Sequence, residues 1–147
     1  MRPLIMLTAL VAGALMPVQA GINARLREFL GDPVMASLVS FAVGTVTLLG
    51  FVLVARLPWP ALAAAAGAPW WTWLGGALGA FFVAVSVILA FKLGATGLMA
   101  WIIAGQLMAS VLLDHTGAIG FAVREASWQR LAGVLLLLCG AVLVNEY

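Results

Sequence analysis

Two sets of polar side chains interrupt long apolar runs in this chain, and their spacing limits the chemistry they can do. In the first set, Pro17, Gln19 and Asn23, the two amides stand four residues apart and share one face of a helix. In the second, Gln106, Ser110 and Asp114 recur at four-residue intervals and draw a polar stripe along a helix toward one membrane surface. Burying such groups among lipid tails is costly unless they find partners or line a wet cavity. Two roles are therefore open: hydrogen bonds between helices, typically about 1 kcal/mol each, or the lining of a solute pathway. We assign all six residues to the pathway, with Pro17 removing a backbone donor and freeing a carbonyl near Gly13.

Covalent catalysis is the competing chemistry. Ser110, Asp114 and His115 supply the residue types of a nucleophile triad. On a helix, however, the adjacent Asp114 and His115 point about 100° apart, and Ser110 aligns with the acid but not with the base. No catalytic residue is expected. His115 reads as an interfacial residue bonding the turn into Gly117, and a lone histidine without an acid or cysteine cluster makes a poor metal site. No metal and no cofactor are expected, and the chain contains no phosphate-cradling loop, paired catalytic carboxylates or CxxC motif.

The elements that must carry these residues are set by solvent. Of 147 residues, 65% are hydrophobic and only 8% charged, so water cannot bathe most of the surface. A bilayer core about 30 Å thick requires roughly 20 apolar residues in a helix. Five stretches meet that measure, at about 4–24, 34–55, 70–91, 93–113 and 128–144. Each is continuously apolar and lacks the alternation of a barrel strand, so the fold class is all-α: a polytopic membrane protein with one five-helix domain over 1–147. The first stretch has a rival reading as a secretory signal, with Val18-Gln19-Ala20 as the cleavage site. A retained helix is preferred because hydrophobicity continues through Ile22 and Arg25 and Arg27 close the run.

Short connections hold most of the charge. Arg25, Arg27, Glu28 and Asp32 are expected in the first loop, where Asp32 caps span two and Pro33 takes its first helical position. The Ala/Gly/Pro stretch up to Pro69 is expected along the interface. Trp70, Trp71 and Trp73, with Trp59 and Trp128, read as interfacial anchors. Gly94-Ala95-Thr96-Gly97 reads as a tight turn, and 114–127 as the last loop. Cys139, the single cysteine, reads as a small buried hydrophobe. The seven Lys and Arg residues form no basic block, so no nucleic-acid partner is expected.

Five spans divide those cations almost evenly. Arg2, Arg56, Arg124 and Arg130 fall on one face; Arg25, Arg27 and Lys92 fall on the other. So small a positive-inside bias permits insertion in both orientations. Two oppositely oriented copies would form an antiparallel homodimer and reproduce the inverted repeat that transporters use for alternating access. Gly75 and Gly79 on span three, with Gly133 and Gly140 on span five, offer small faces for helix packing.

Taken together, Pro17-x-Gln19-x-x-x-Asn23, Ser40-Phe41-x-x-Gly44, Gly75-Gly76-x-x-Gly79-Ala80, Leu93-Gly94 and Gly105-Gln106-Leu107-x-x-Ser110-x-x-x-Asp114-His115-x-Gly117-x-x-Gly120 resemble the YdcZ-like five-helix proteins of the drug/metabolite transporter superfamily. The resemblance covers essentially the whole chain. It implies a multi-pass protein of the bacterial inner membrane, half of a ten-helix inverted-repeat transporter, found in the family as dual-topology homodimers, oppositely oriented pairs or tandem fusions. Lys92 departs from the proline expected before Leu93-Gly94. Small multidrug-resistance transporters of the same superfamily carry an acid in mid-helix one, which is missing here; Gln19 and Asn23 do not titrate. A facilitator, exchanger or exporter of small polar solutes is the reading favoured, with a channel or a non-transporting assembly protein as alternatives. The substrate is not specified.

Overall fold

The computed structural model describes residues 2–60 and 66–146. Four helices dominate: α1 (Arg2–Leu30), α2 (Pro33–Val54), α3 (Leu74–Thr116) and α4 (Trp128–Glu146). Each is long and apolar enough to cross a membrane, so the fold is all-α and polytopic. The chain divides into two compact units, Met1–Ile88 and Leu89–Tyr147.

The first unit starts with a helix longer than expected. Arg25, Arg27 and Glu28 are not in a loop but in the last turns of α1, leaving Gly31 and Asp32 as the connection to α2. The cause is local: Arg25 pairs with Glu28 one turn on and stacks over Phe29, so the charges extend the helix they were expected to end. Gly31 stops it, with φ +76 and its N–H donating to the Arg27 carbonyl at 2.8 Å. The Asp32 carboxylate accepts from Val34 N and Met35 N at 2.8 and 2.9 Å, and Pro33 opens α2 as expected.

Close packing in this unit rests on small residues. Ala20, Asn23 and Ala24 on α1 and Ala36 and Ser37 on α2 are buried, and the Ser37 hydroxyl donates to the Pro33 carbonyl. Ala36, Val83 and Val87 form the apolar core, flanked by Leu26 and Phe82. A Cβ on Gly79 would meet the Phe41 ring at 3.5 Å, so this glycine does pack on α2. Gly75 faces open space. The expected interfacial segment before Pro69 falls partly on 61–65, outside the described residues. Trp70–Trp73 form a 3-10 turn leading into α3, and Trp59, Trp70, Trp71, Trp73 and Trp128 are all exposed, as anchors require.

The predicted turn over Gly94–Gly97 is narrower than expected. Only Gly94 leaves helical geometry, at φ 68 and ψ 168, and Ala95–Gly97 belong to the following arm of α3. That conformation is essentially restricted to glycine. Gly94→Ala is expected to cost about 1–3 kcal/mol, read as a lower unfolding midpoint in detergent. Nothing lies within 4 Å of the added carbon, so the cost resides in the backbone. Gly105→Ala, helical and equally open, is the control, expected to be neutral or to gain up to about 1 kcal/mol.

In the second unit α3 continues through Asp114 and His115 to Thr116, so the last loop is 117–127 and not 114–127. Gly117 leaves the helix at φ +64, and a Cβ there would come within 2.7 Å of Val123 Cγ2 and 3.3 Å of the Phe121 carbonyl. Gly117→Ala is expected to destabilise by at least about 1–2 kcal/mol from the left-handed backbone alone, measurable in the same unfolding assay. Ile119 is also left-handed, at φ +51, an uncommon geometry for a β-branched residue. Among the described residues of this unit, Leu98, Ala104 and Ala141 are the buried apolar ones.

Candidate functional site

The two polar sets lie in separate units. In the first, Pro17 is half-buried inside α1, Gln19 is exposed, and Asn23 is only 4% exposed. The shared helical face therefore does not give Gln19 and Asn23 a shared environment: four residues advance about 400°, leaving a 40° offset that straddles the edge of the contact between α1 and α2. Asn23 belongs with the small residues packed inside, whereas Gln19 presents its amide outward.

In the second unit Gln106 and Ser110 are exposed and Asp114 is half-buried. The Ser110 hydroxyl donates to the Gln106 carbonyl at 2.7 Å, leaving the serine oxygen free to accept. Ser110 and Asp114 line a cleft of about 290 Å³ between α3 and α4, walled by Leu107, Val111, Val134 and Leu137. Arg130 enters the same cleft from the first turn of α4, and its Nη1 donates to Asp114 Oδ2 at 3.2 Å. About a third of each side chain is exposed, so this pair is neither a free surface bridge nor a sealed one. The Asp114 carbonyl also accepts from Arg124 N at 2.8 Å, which ties the loop back to the helix end.

Sequence reasoning counted Arg130 only as a topogenic charge and missed its place beside Asp114. The usable signal was its position in the first turn of an apolar helix, where a cation opposes the helix dipole and requires a reason to be there. Gly133 lines the same cleft, and neither Gly133 nor Gly140 has an atom within 4 Å of an added Cβ. These two glycines, like Gly75, are thus not used for close contact inside the chain. Cys139 is exposed, correcting the buried reading; helix α4 buries only Ala141 fully.

The triad residues are engaged separately. Ser110 bonds Gln106, Asp114 bonds Arg130, and His115 Nδ1 accepts from Ala126 N at 3.3 Å, bridging to the far end of the loop and not to the turn at Gly117. Among the described residues no group of three or more His, Cys, Asp or Glu side chains is placed to hold a metal ion. A second, almost wholly apolar groove of about 520 Å³ runs beside His115 along Met108, Leu112, Leu131 and Leu135.

The family model described as "Putative inner membrane exporter, YdcZ" matches residues 4–143. "Inner membrane protein YdcZ" of Escherichia coli (strain K12) is 37% identical over 75 residues, 51% of this chain and 50% of that protein, so the aligned part spans about half of the relative's length. No solved structure matches the chain significantly. The match over nearly the whole chain, together with the apolar helices, shows that the chain belongs to the YdcZ family and is a multi-pass protein of the bacterial inner membrane.

Proposed function

We propose that the chain is a small-solute transporter working by alternating access as an antiparallel homodimer, each copy supplying one five-helix half of a ten-helix inverted-repeat fold. The observation that carries this reading is the exposure of Gln19, Gln106 and Ser110 within apolar membrane helices. Against lipid tails, an exposed amide would forfeit hydrogen bonds at a cost of roughly 1–3 kcal/mol or more. A second copy covering a wet pathway removes that cost and gives the amides a role. Gly75, Gly133 and Gly140, open in the single chain, then become sites where a facing helix can approach closely.

Helix α3 supports the five-span count. Its 43 residues would extend about 65 Å as one rod, twice the bilayer core. Interrupted at Gly94, it becomes arms over 74–93 and 95–116, each about the length of one crossing. On this reading residues 1–147 make a single transmembrane domain that folds and inserts as a unit.

The solute is small and polar, because Gln19, Gln106 and Ser110 offer hydrogen bonds from uncharged groups and Asp114 adds a carboxylate at the end of the stripe. The test is counterflow. Purified protein in liposomes loaded with an unlabelled mixture of small metabolites is given labelled members of that mixture from outside. Saturable uptake accelerated by the internal solute is expected. Unsaturable conduction would mark a channel, and no uptake of any member would leave an assembly protein.

A further inference from the structure

We infer that the cleft holding Asp114 and Arg130 is a binding site for a small zwitterion, a solute carrying one carboxylate and one ammonium group on an aliphatic frame. The inference deepens the transporter reading and rests on it for its placement along the pathway.

Charge balance in the cleft selects the ligand. In a mainly apolar cleft, Asp114 and Arg130 neutralise one another through a single contact from Nη1 to Oδ2. A monocation binding Asp114 would strand the guanidinium, and a monoanion binding Arg130 would strand the carboxylate; with about two thirds of each side chain buried, an unpaired charge there is disfavoured. A zwitterion exchanges both partners together. Its carboxylate meets Arg130, whose planar group has five N–H donors and accepts a carboxylate two-pronged. Its ammonium meets Asp114 and the oxygen of Ser110, which is free to accept because the Ser110 proton is given to Gln106.

Shape supports the same ligand. Leu107, Val134 and Leu137 offer apolar walls for an aliphatic substituent. A volume of about 290 Å³ is at the small end of ligand pockets. The contact of 3.2 Å is also long for a charge-assisted bond, so opening it forfeits little. Asp114 lies within the last turn of α3, and Ser110 and Gln106 lead from it toward mid-helix. The site therefore occupies a mouth of the pathway, and in an antiparallel pair each membrane face would present one copy.

Purified full-length protein in lipid nanodiscs is titrated with alanine, valine and leucine, and with 3-methylbutylamine and 4-methylpentanoate, which each keep one charged end of leucine. At least one amino acid is expected to bind with an affinity at least about tenfold above both single-charge analogues. Asp114→Asn and Arg130→Gln should each erase that preference. The exchanged pair, Asp114→Arg with Arg130→Asp, keeps the charges adjacent and should restore it, separating loss of the site from loss of folding. Binding of the amine alone as tightly as leucine, unchanged binding in the single variants, or no binding of any of the three zwitterions would overturn the site. Counterflow keeps the two readings distinct. A zwitterion bound but never carried would sink the transporter and spare the site; carriage of other solutes, unaffected by Asp114→Asn and Arg130→Gln, would do the reverse.

Discussion

Replacing Gln106 by leucine is expected to lower solute flux by about 5- to 150-fold, with the unfolding midpoint held or raised. The first figure follows from one lost hydrogen bond to a solute already stripped of water, an omission worth roughly 1–3 kcal/mol. The second follows from exposure. Gln106 is exposed in the single chain, so leucine there disturbs no packing within it. Gln19→Leu should behave in the same way, because its amide is exposed on α1. Asn23→Leu should not: its side chain is 4% exposed among Ala20, Ala24, Ala36 and Ser37, and leucine adds volume where small residues pack. Overpacking typically costs about 1–3 kcal/mol, so Asn23→Leu should unfold earlier. Initial rates of counterflow and unfolding midpoints, measured on the three variants side by side, decide the matter. If Gln106→Leu and Gln19→Leu kept their flux but lost stability, the amides would be bonds between helices and the pathway assignment would fall.

That contrast between Gln19 and Asn23 also shows where sequence reading stops. The existence of long apolar membrane helices was legible, because runs of apolar residues near bilayer length have few other uses, whereas the spans expected at 70–91 and 93–113 run on as one helix broken only at Gly94. The start of α2 was legible too, since Asp32 followed by Pro33 is a local signal that requires no tertiary knowledge. Helix ends marked by charge were not. Arg25 and Glu28 look like loop residues one at a time and become helix-supporting only as a pair one turn apart. Asp114 and His115 likewise extend α3 to Thr116, and only Gly117 ends it.

Within the candidate site, the stripe Gln106, Ser110 and Asp114 was readable from spacing, but its electrostatic partner was not. Arg130 stands sixteen residues from Asp114 across a loop whose path depends on Gly117, on the Arg124 N–H and on His115. No periodicity records that return. The two amides of α1 share a helical face, yet which one is buried depends on where α2 lies. Composition also says nothing about what covers an exposed amide; on the proposed dimer reading, the covering surface belongs to another molecule.

The orientation of that other molecule should be controllable by single charges. If the chain crosses five times, Arg2, Arg56, Arg124 and Arg130 share one face, and Arg25, Arg27 and Lys92 share the other. A one-cation difference biases insertion only weakly. In the structure Arg25, Arg27 and Arg130 lie near helix ends, Arg56 and Arg124 lie in connections, and Lys92 lies within α3, two residues before its break at Gly94. A reporter fused after Tyr147 should therefore give signal on both sides of the membrane. Phe121→Lys, at an exposed position of the last loop, adds to the first face and should drive the fused end outward in nearly all molecules. Glu28→Lys with Phe91→Lys, both exposed, adds two to the opposite face and should send it inward. Either variant alone should then lose counterflow, and co-expression of the two should recover it, since each supplies the orientation that the other lacks. A reporter confined to one side in the parent chain and unmoved by these changes would sink the self-paired antiparallel dimer. The cover for Gln19 and Gln106 would then have to come from a different protein inserted the other way up.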